Sequence, residues 1–270
     1  MNLLVAGAEQ LDAGKTTFST GLVHRTGAVG YKPRAGNDYW YSHSDVLSAA
    51  DSGVLYGKDA KRLASATPSG VTPTDINAIH RLWSPKPGGV GSVLGQDGRE
   101  FLLDRVGETY VRNATVDLPE HIRGAFPLED AIDVSSLAAF NDVMETHHQP
   151  TQQSLREEIA TQPLSVIESY SDVARPLQSL EHDAVAVVEP RRVRLFDGER
   201  YDKGCAVASG SSASDHGTLE ERVEDVTELV DPVETLELPP VEDSARADPS
   251  QVAAAYERAY DAMVSIAGER

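Results

Sequence analysis

The sequence holds one cysteine, six lysines and no apolar run of eighteen residues. Each scarcity excludes something. A lone Cys205 leaves no partner for an intramolecular disulfide and cannot build a cysteine-based zinc cluster. Without a long apolar run, or a basic N-terminal region leading into one, there is no sequence signal for a membrane span or for export. The expected location is the cytoplasm. Basic residues are scarce as a class: 24 Lys and Arg stand against 43 Asp and Glu, a formal charge of −19. Such a surface repels nucleic acid and anionic membranes, so small molecules are the expected partners. An acidic, lysine-poor surface suits a halophilic cytoplasm, where a Debye length of about 3 Å at 1 M salt removes most self-repulsion.

What is present begins at the N-terminus. The apolar run Leu3-Leu4-Val5-Ala6 opens into Gly7-Ala8-Glu9-Gln10-Leu11-Asp12-Ala13-Gly14-Lys15-Thr16-Thr17, and apolar residues then recur at helical spacing through Phe18, Leu22 and Val23. A buried strand, a turn and a helix are predicted. The amides at the start of such a helix, at the positive end of its dipole, favour a bound anion. Gly7, Asp12, Ala13, Gly14, Lys15, Thr16 and Thr17 are the candidate nucleotide-binding residues. Gly14 lets the chain approach phosphate without a Cβ, Lys15 supplies a cation, and the Thr16 hydroxyl suits Mg²⁺. Six residues separate Gly7 from Gly14, against four in the standard pattern, and Glu9 stands where a glycine is usual.

At 270 residues with 40% apolar content, the chain can build one large α/β domain. The expected fold is a mostly parallel sheet with helices on both faces, three layers in all. Residues 1–241 are expected to form that domain, with an irregular insertion at about 55–135. An acidic linker at 242–249 and a C-terminal helix at 250–270 would follow. Ala28–Tyr31 reads as a second strand stopped by Pro33, and Asp183–Glu189 as a strand buried on both faces. Helices are predicted over Ser44–Ala50, Lys58–Ala66, Ser135–Thr146, Thr151–Ala160 and Leu164–Arg175. Glu100–Val116 suggests a hairpin or two irregular strands, Val193–Phe196 a short edge hairpin, and Asp225–Leu229 and Val233–Leu238 closing strands. Gly204–Thr218, rich in Gly, Ser and Ala, reads as loop.

A second block, Lys32-Pro33-Arg34-Ala35-Gly36-Asn37-Asp38-Tyr39, follows the second strand. Ligands of open α/β sheets bind beyond the carboxyl ends of the strands, so Lys32, Arg34 and Asp38 are candidates to face the terminal phosphate. The stretched phosphate loop together with Gly30-Tyr31-Lys32-Pro33 resembles dethiobiotin synthetase. Gly36-Asn37-Asp38-Tyr39 is similar to a segment of the cobyrinic acid diamide synthases, and Val188-Glu189 to the strand end whose glutamate helps hold Mg²⁺ in that class. The N-terminal half also looks like archaeal proteins described as predicted phosphate-loop ATPases or GTPases. The resemblance implies catalytic roles for Lys15, Lys32 and Asp38, and Mg²⁺ held by Thr16, Asp38 and Glu189. It further implies ATP, with GTP as the alternative, and activation of a small acidic substrate by a synthetase or ligase reaction, with a homodimer as a mild expectation. Pro190-Arg191-Arg192 departs from the glycine-rich turn of that class.

Two alternatives stay open. One is a nucleotide-controlled switch or metallochaperone-like ATPase acting on a protein partner. The other is a polynucleotide 5′-hydroxyl kinase, which Asp12-Ala13-Gly14-Lys15-Thr16-Thr17 also resembles, with Arg191, Arg192, Arg194 and Arg200 as a basic track. Within Asn77–Trp83, His80 and Arg81 are candidate substrate contacts; the competing reading has Trp83 anchoring the segment to the core.

Overall fold

A computed structural model describes residues 1–8, 14–68, 70–86, 94–96, 98–211 and 220–269. Twelve strands run through them: β1 Asn2–Gly7, β2 Val29–Tyr31, β3 Arg34–Asp38, β4 Ile79–Pro85, β5 Gly95–Gln96 and β6 Arg99–Val106. β7 Thr109–Asn113, β8 Ile132–Val134, β9 Ser165–Glu168, β10 Ala184–Glu189, β11 Arg192–Asp197 and β12 Glu234–Glu237 complete the set. The expected α/β class is present, as two sheets in two compact units. One unit comprises Met1–Pro33, Arg62–Thr72 and Glu158–Arg270, and the other Arg34–Lys61 and Pro73–Glu157. No helix among the described residues is long and apolar enough to cross a membrane.

The first unit's sheet runs in the order β12-β11-β10-β1-β9-β2. β10, β1, β9 and β2 are parallel, and β11 and β12 add antiparallel strands at one side. Leu3 to Ala6 and Ala184 to Val187 are fully buried, as unbroken apolar runs in central parallel strands should be. Helix α1, Lys15–Thr26, follows β1. It ends at Gly27, whose left-handed backbone (φ 70°) lets its N–H bond to the Val23 carbonyl. Phe18 of α1 packs edge-on against Tyr260, with ring centroids 4.8 Å apart. Side chains alternate along a strand, so Phe196 and Glu189 lie on one face of this sheet and Val188 and Val5 on the other. Tyr201 of the helix Gly198–Ser211 packs at a tilt against Phe196, ring centroids 5.5 Å apart, and covers the face away from α1. The unit is therefore layered helix, sheet, helix.

Close packing in this unit depends on small residues. A Cβ on Gly21 would come within 2.7 Å of Val252 Cγ1 and closer still to the Tyr260 hydroxyl, which donates to the Phe18 carbonyl at 3.0 Å. Gly21→Ala is expected to destabilise the protein by about 1–3 kcal/mol, the usual cost of overpacking. A thermal melt checks it, and an unchanged midpoint would show that the interface gives way freely.

The second unit's sheet runs β3-β4-β6-β7-β8, with β5 also paired to β6. β3 is parallel to β4 and β7 to β8, while β4, β6 and β7 form an antiparallel meander. Its core gathers Val46, Leu55, Leu82, Leu103, Ile122 and Phe126. Residues 55–135, expected as an irregular insertion, thus supply most of a regular sheet, and the predicted hairpin at Glu100–Val116 is β6 and β7.

Several local expectations are corrected. Leu164–Arg175 is not a helix: Ser165–Glu168 is a buried strand, because Val166 and Ile167 fill the position between β1 and β2. β2 therefore pairs with β9 and not with the phosphate-loop strand. Part of the expected Gly204–Thr218 loop belongs to the helix Gly198–Ser211, and residues 212–219 lie outside the described residues. Gly204 is there for close approach, since a Cβ would meet Val230 Cγ2 at 2.7 Å. Val223–Thr227 is a short helix rather than a strand, with Glu224 and Asp225 in its first turn, where acids suit the dipole. β11 forms the expected hairpin with β10, but β12 flanks it, so it does not lie at the edge of the sheet. The C-terminal segment forms two helices, Pro249–Ala255 and Glu257–Gly268, and a helical turn at Asp243–Arg246 lies within the expected linker.

Candidate functional site

The carboxyl ends of β1, β9 and β2 gather four side chains of the first unit. Gly14 precedes α1 in the left-handed conformation (φ 84°), which only glycine adopts without strain. Among the described residues no side chain caps this helix start and no acid occupies its first turn, so its amide dipoles keep their anion-attracting character. Lys15 folds back over Gly7, where a Cβ would lie 2.8 Å from its Nζ, and donates to the Ser171 carbonyl at 2.6 Å. Thr16 Oγ1 donates to Glu168 Oε1 at 2.7 Å. Lys32 Nζ donates to the same oxygen at 2.5 Å and lies 3.4 Å from the Ser169 carbonyl.

Glu168 is the residue that the sequence reading missed. Its register explains its position: Glu168 sits opposite Val5, and Tyr31 opposite Ile167, so Lys32 falls level with Glu168 just past the end of β2. Glu168 is fully buried, Lys32 4% exposed and Thr16 9%. Glu168 Oε2 is buried and accepts no hydrogen bond among the described residues. An unsatisfied carboxylate oxygen in the interior is costly, and it marks a place where a further cation or donor is needed. The signal was available, since Val166-Ile167-Glu168 ends a buried strand just as Val187-Val188-Glu189 does.

Glu189, the expected metal ligand, lies on the opposite face of the sheet. Val188 faces α1, its Cγ1 4.0 Å from where a Cβ on Gly14 would be, so the next side chain points away. There Glu189 is ion-paired with Arg192 and with Arg194, the latter at 2.6 Å. Arg191 pairs with Glu237 at 3.2 Å. Three of the four arginines considered as a basic track, Arg191, Arg192 and Arg194, are thus matched by glutamates. Thr17 lies within α1, and Asp12 and Ala13 lie outside the described residues. Among the described residues no group of three or more His, Cys, Asp and Glu gathers at metal-binding distance.

The other candidates belong to the second unit. Asp38 Oδ1 accepts from the Trp40 and Tyr41 amides at 2.8 and 3.1 Å and so shapes the turn after β3. Arg34 starts β3. Gly36 makes room for Trp83: a Cβ would lie 3.2 Å from the indole nitrogen. His80 is fully buried on β4. Arg81 forms a bidentate pair with Asp104, at 2.6 and 2.5 Å, and lies over Trp83, Phe101 and Phe140 at 5.0–5.1 Å. His148 Nε2 contacts Asp104 Oδ2 at 3.0 Å. Arg81 therefore serves the interior of its own unit.

Burial pushes the Asp104 carboxyl upward, but the Arg81 charge and the hydrogen bonds from Arg81 and His148 outweigh it and hold it down at about 2. A depressed carboxyl stabilises the fold above its unfolded value of 3.8 and loses that contribution as pH falls towards 2. About 2 kcal/mol of stability is expected to vanish across that window. Chemical denaturation at a series of pH values checks this, and Asp104→Asn should flatten the curve. In the first unit, burial raises the Cys205 thiol to about 12, which leaves it protonated at neutral pH and unsuited to nucleophilic work.

Compared with family models, curated proteins and solved structures, the chain gives no match.

Proposed function

We propose that the chain is a Mg²⁺-dependent phosphate-loop nucleoside triphosphatase, cytoplasmic, with the triphosphate seated at the start of α1. One observation carries the reading: the Thr16 hydroxyl at the helix start meets a buried strand-end carboxylate, Glu168, whose second oxygen has no hydrogen-bond partner among the described residues. In phosphate-loop enzymes the metal sits between a loop Ser or Thr and a strand-end acid. Mg²⁺ needs only one or two carboxylates beside the phosphates, so a lone glutamate with a threonine suits it. When bound, the ion would offset charge on the phosphates.

The chain's own residues would do the rest. The α1 amides orient the phosphates, Lys15 neutralises an oxygen after leaving the Ser171 carbonyl, and Lys32 stands beside the metal carboxylate with an ammonium to offer the terminal phosphate. The acceptor side, a small acidic molecule activated by ATP in a synthetase-type reaction, is supported by the likeness of the stretched phosphate loop and Gly30-Tyr31-Lys32-Pro33 to dethiobiotin synthetase and of Gly36-Asn37-Asp38-Tyr39 to the cobyrinic acid diamide synthases. The ion-paired Arg191, Arg192 and Arg194 weigh against the polynucleotide kinase reading.

Calorimetry in high salt with Mg²⁺ and a non-hydrolysable ATP or GTP analogue tests the reading. Binding that Thr16→Ala weakens at least tenfold is expected, and no binding of either analogue would overturn it.

A further inference from the structure

Three rings of the second unit converge at its surface, and the proposed nucleotide site uses none of them. Tyr39 follows the last residue of β3, His43 opens the helix His43–Ser52, and His121 is the second residue of the helix Glu120–Ala125. Ring centroids lie 5.2 Å apart between Tyr39 and His43, 5.5 Å between Tyr39 and His121, and 5.8 Å between His43 and His121. The Tyr39 hydroxyl stands 3.1 Å from His121 Nε2. Among the described residues no hydrogen bond occupies the ring nitrogens of His43. Both imidazoles are exposed. Tyr39 is half-buried, packs against the core of its unit and donates its amide to the Trp83 carbonyl at 2.6 Å. The phenol is thus the anchored member, and the imidazoles have room to adjust.

Separations of this size suit ligands of a single ion. Atoms held about 2.0–2.1 Å from a tetrahedral ion stand about 3.3 Å from one another, and two imidazoles on that ion keep their centroids roughly 5–6 Å apart. We propose that Tyr39, His43 and His121 form a surface site for one divalent transition-metal ion, with water in the fourth position. Imidazole favours Zn²⁺, Cu²⁺ and Ni²⁺, whereas Mg²⁺ prefers oxygen, so the ion differs from the one proposed at Thr16 and Glu168 and does not depend on that reading. On binding, the Tyr39 hydroxyl releases its proton to solvent, and the phenolate oxygen and two neutral imidazoles hold the ion. Helix starts disfavour a cation, but Asp45 and Glu120 lie in the two first turns concerned, and the formal charge of −19 draws cations to the surface. The bound ion ties the turn after β3, with its exposed Trp40 and Tyr41, to both helices.

The test takes the full chain, stripped of metal with a chelator, and titrates it with Zn²⁺ and with Cu²⁺ by calorimetry, Mg²⁺ being present in excess. Wild type is compared with His43→Ala, His121→Ala, Tyr39→Phe and, as a control, His24→Ala, which removes an exposed histidine of α1. Wild type and His24→Ala should bind one ion of either metal, while each of the other variants binds at least tenfold more weakly. Cu²⁺ should also give wild type a phenolate-to-copper absorption band that Tyr39→Phe lacks. A measurement on wild type alone needs no substitution to fold: Zn²⁺ should shift the ring resonances of His43 and His121 and leave those of His24 in place. No saturable binding by wild type overturns the site, as does binding that survives His43→Ala or His121→Ala undiminished. Zn²⁺ binding that moves other histidine resonances and not these two overturns it as well. A Tyr39→Phe variant that binds as tightly as wild type, or a copper complex without the absorption band, overturns the three-ligand assignment.

Discussion

Replacing Glu168 with glutamine is expected to lower triphosphate hydrolysis by roughly a hundredfold or more, the scale on which removing one preorganised electrostatic group acts. Glutamine keeps the size of the side chain and an oxygen that can accept from Thr16, but it removes the charge that a divalent ion requires. Phosphate release per folded molecule is the measurement, with a thermal melt giving the folded fraction. Glu189→Gln is the matched control. That carboxylate lies on the other face of the sheet, held by Arg192 and Arg194, and its loss should leave the rate within a few-fold of wild type. Equal losses for the two variants would mean that the choice of carboxylate is wrong.

The largest effect on stability is expected at Asp104. Its side chain is fully buried and accepts from Arg81 and His148, and Arg81 is itself held among three aromatic rings. Asp104→Ala takes the bidentate partner from a largely buried guanidinium, its side chain 21% exposed, in the second unit. Breaking a buried pair by removing one partner costs about 3–5 kcal/mol, which for a protein of this size is a fall of about 10 °C in melting temperature. Asp133→Ala is the comparison: its pairing with Arg112 is of similar length, at 2.6 Å, but solvent-exposed, and should be worth under about 1 kcal/mol. Similar midpoints for the two variants would refute the ranking.

The parts of the fold that the sequence showed are those whose signal is local. Leu3 to Ala6 and Val185 to Val188 are unbroken apolar runs, and each is a central strand. Gly14, Lys15 and Thr16 are adjacent, so their gathering at one helix start needs no tertiary information. Lys32 was legible because the strand before it is stopped by Pro33. Glu168 was hidden by brevity, since a strand of four residues that opens on Ser165 and is followed by Ser169 has too few positions to show a period. The face of Glu189 was legible in principle: alternation from Val188 already sends it away from α1. The Arg81, Asp104 and His148 network was not, because its members lie 23 and 44 residues apart and meet only when β4, β6 and a π-helical turn at Met144–His148 come together. The division into two units escaped for a related reason. The strands of residues 79–113 alternate polar and apolar side chains irregularly, and their pairing with β3 is long-range.

The central claim is that Thr16 and Glu168 share one metal beneath a triphosphate at the start of α1. A crystal structure with Mg²⁺ and a non-hydrolysable triphosphate tests it most directly. The expected result is a metal ion bound by Thr16 Oγ1 and phosphate oxygens, with Glu168 Oε2 either in direct contact at about 2.0–2.1 Å or joined through one water. A triphosphate bound away from Gly14 and Lys15, or a metal held by Glu189 with Glu168 beyond the reach of one bridging water, would contradict it.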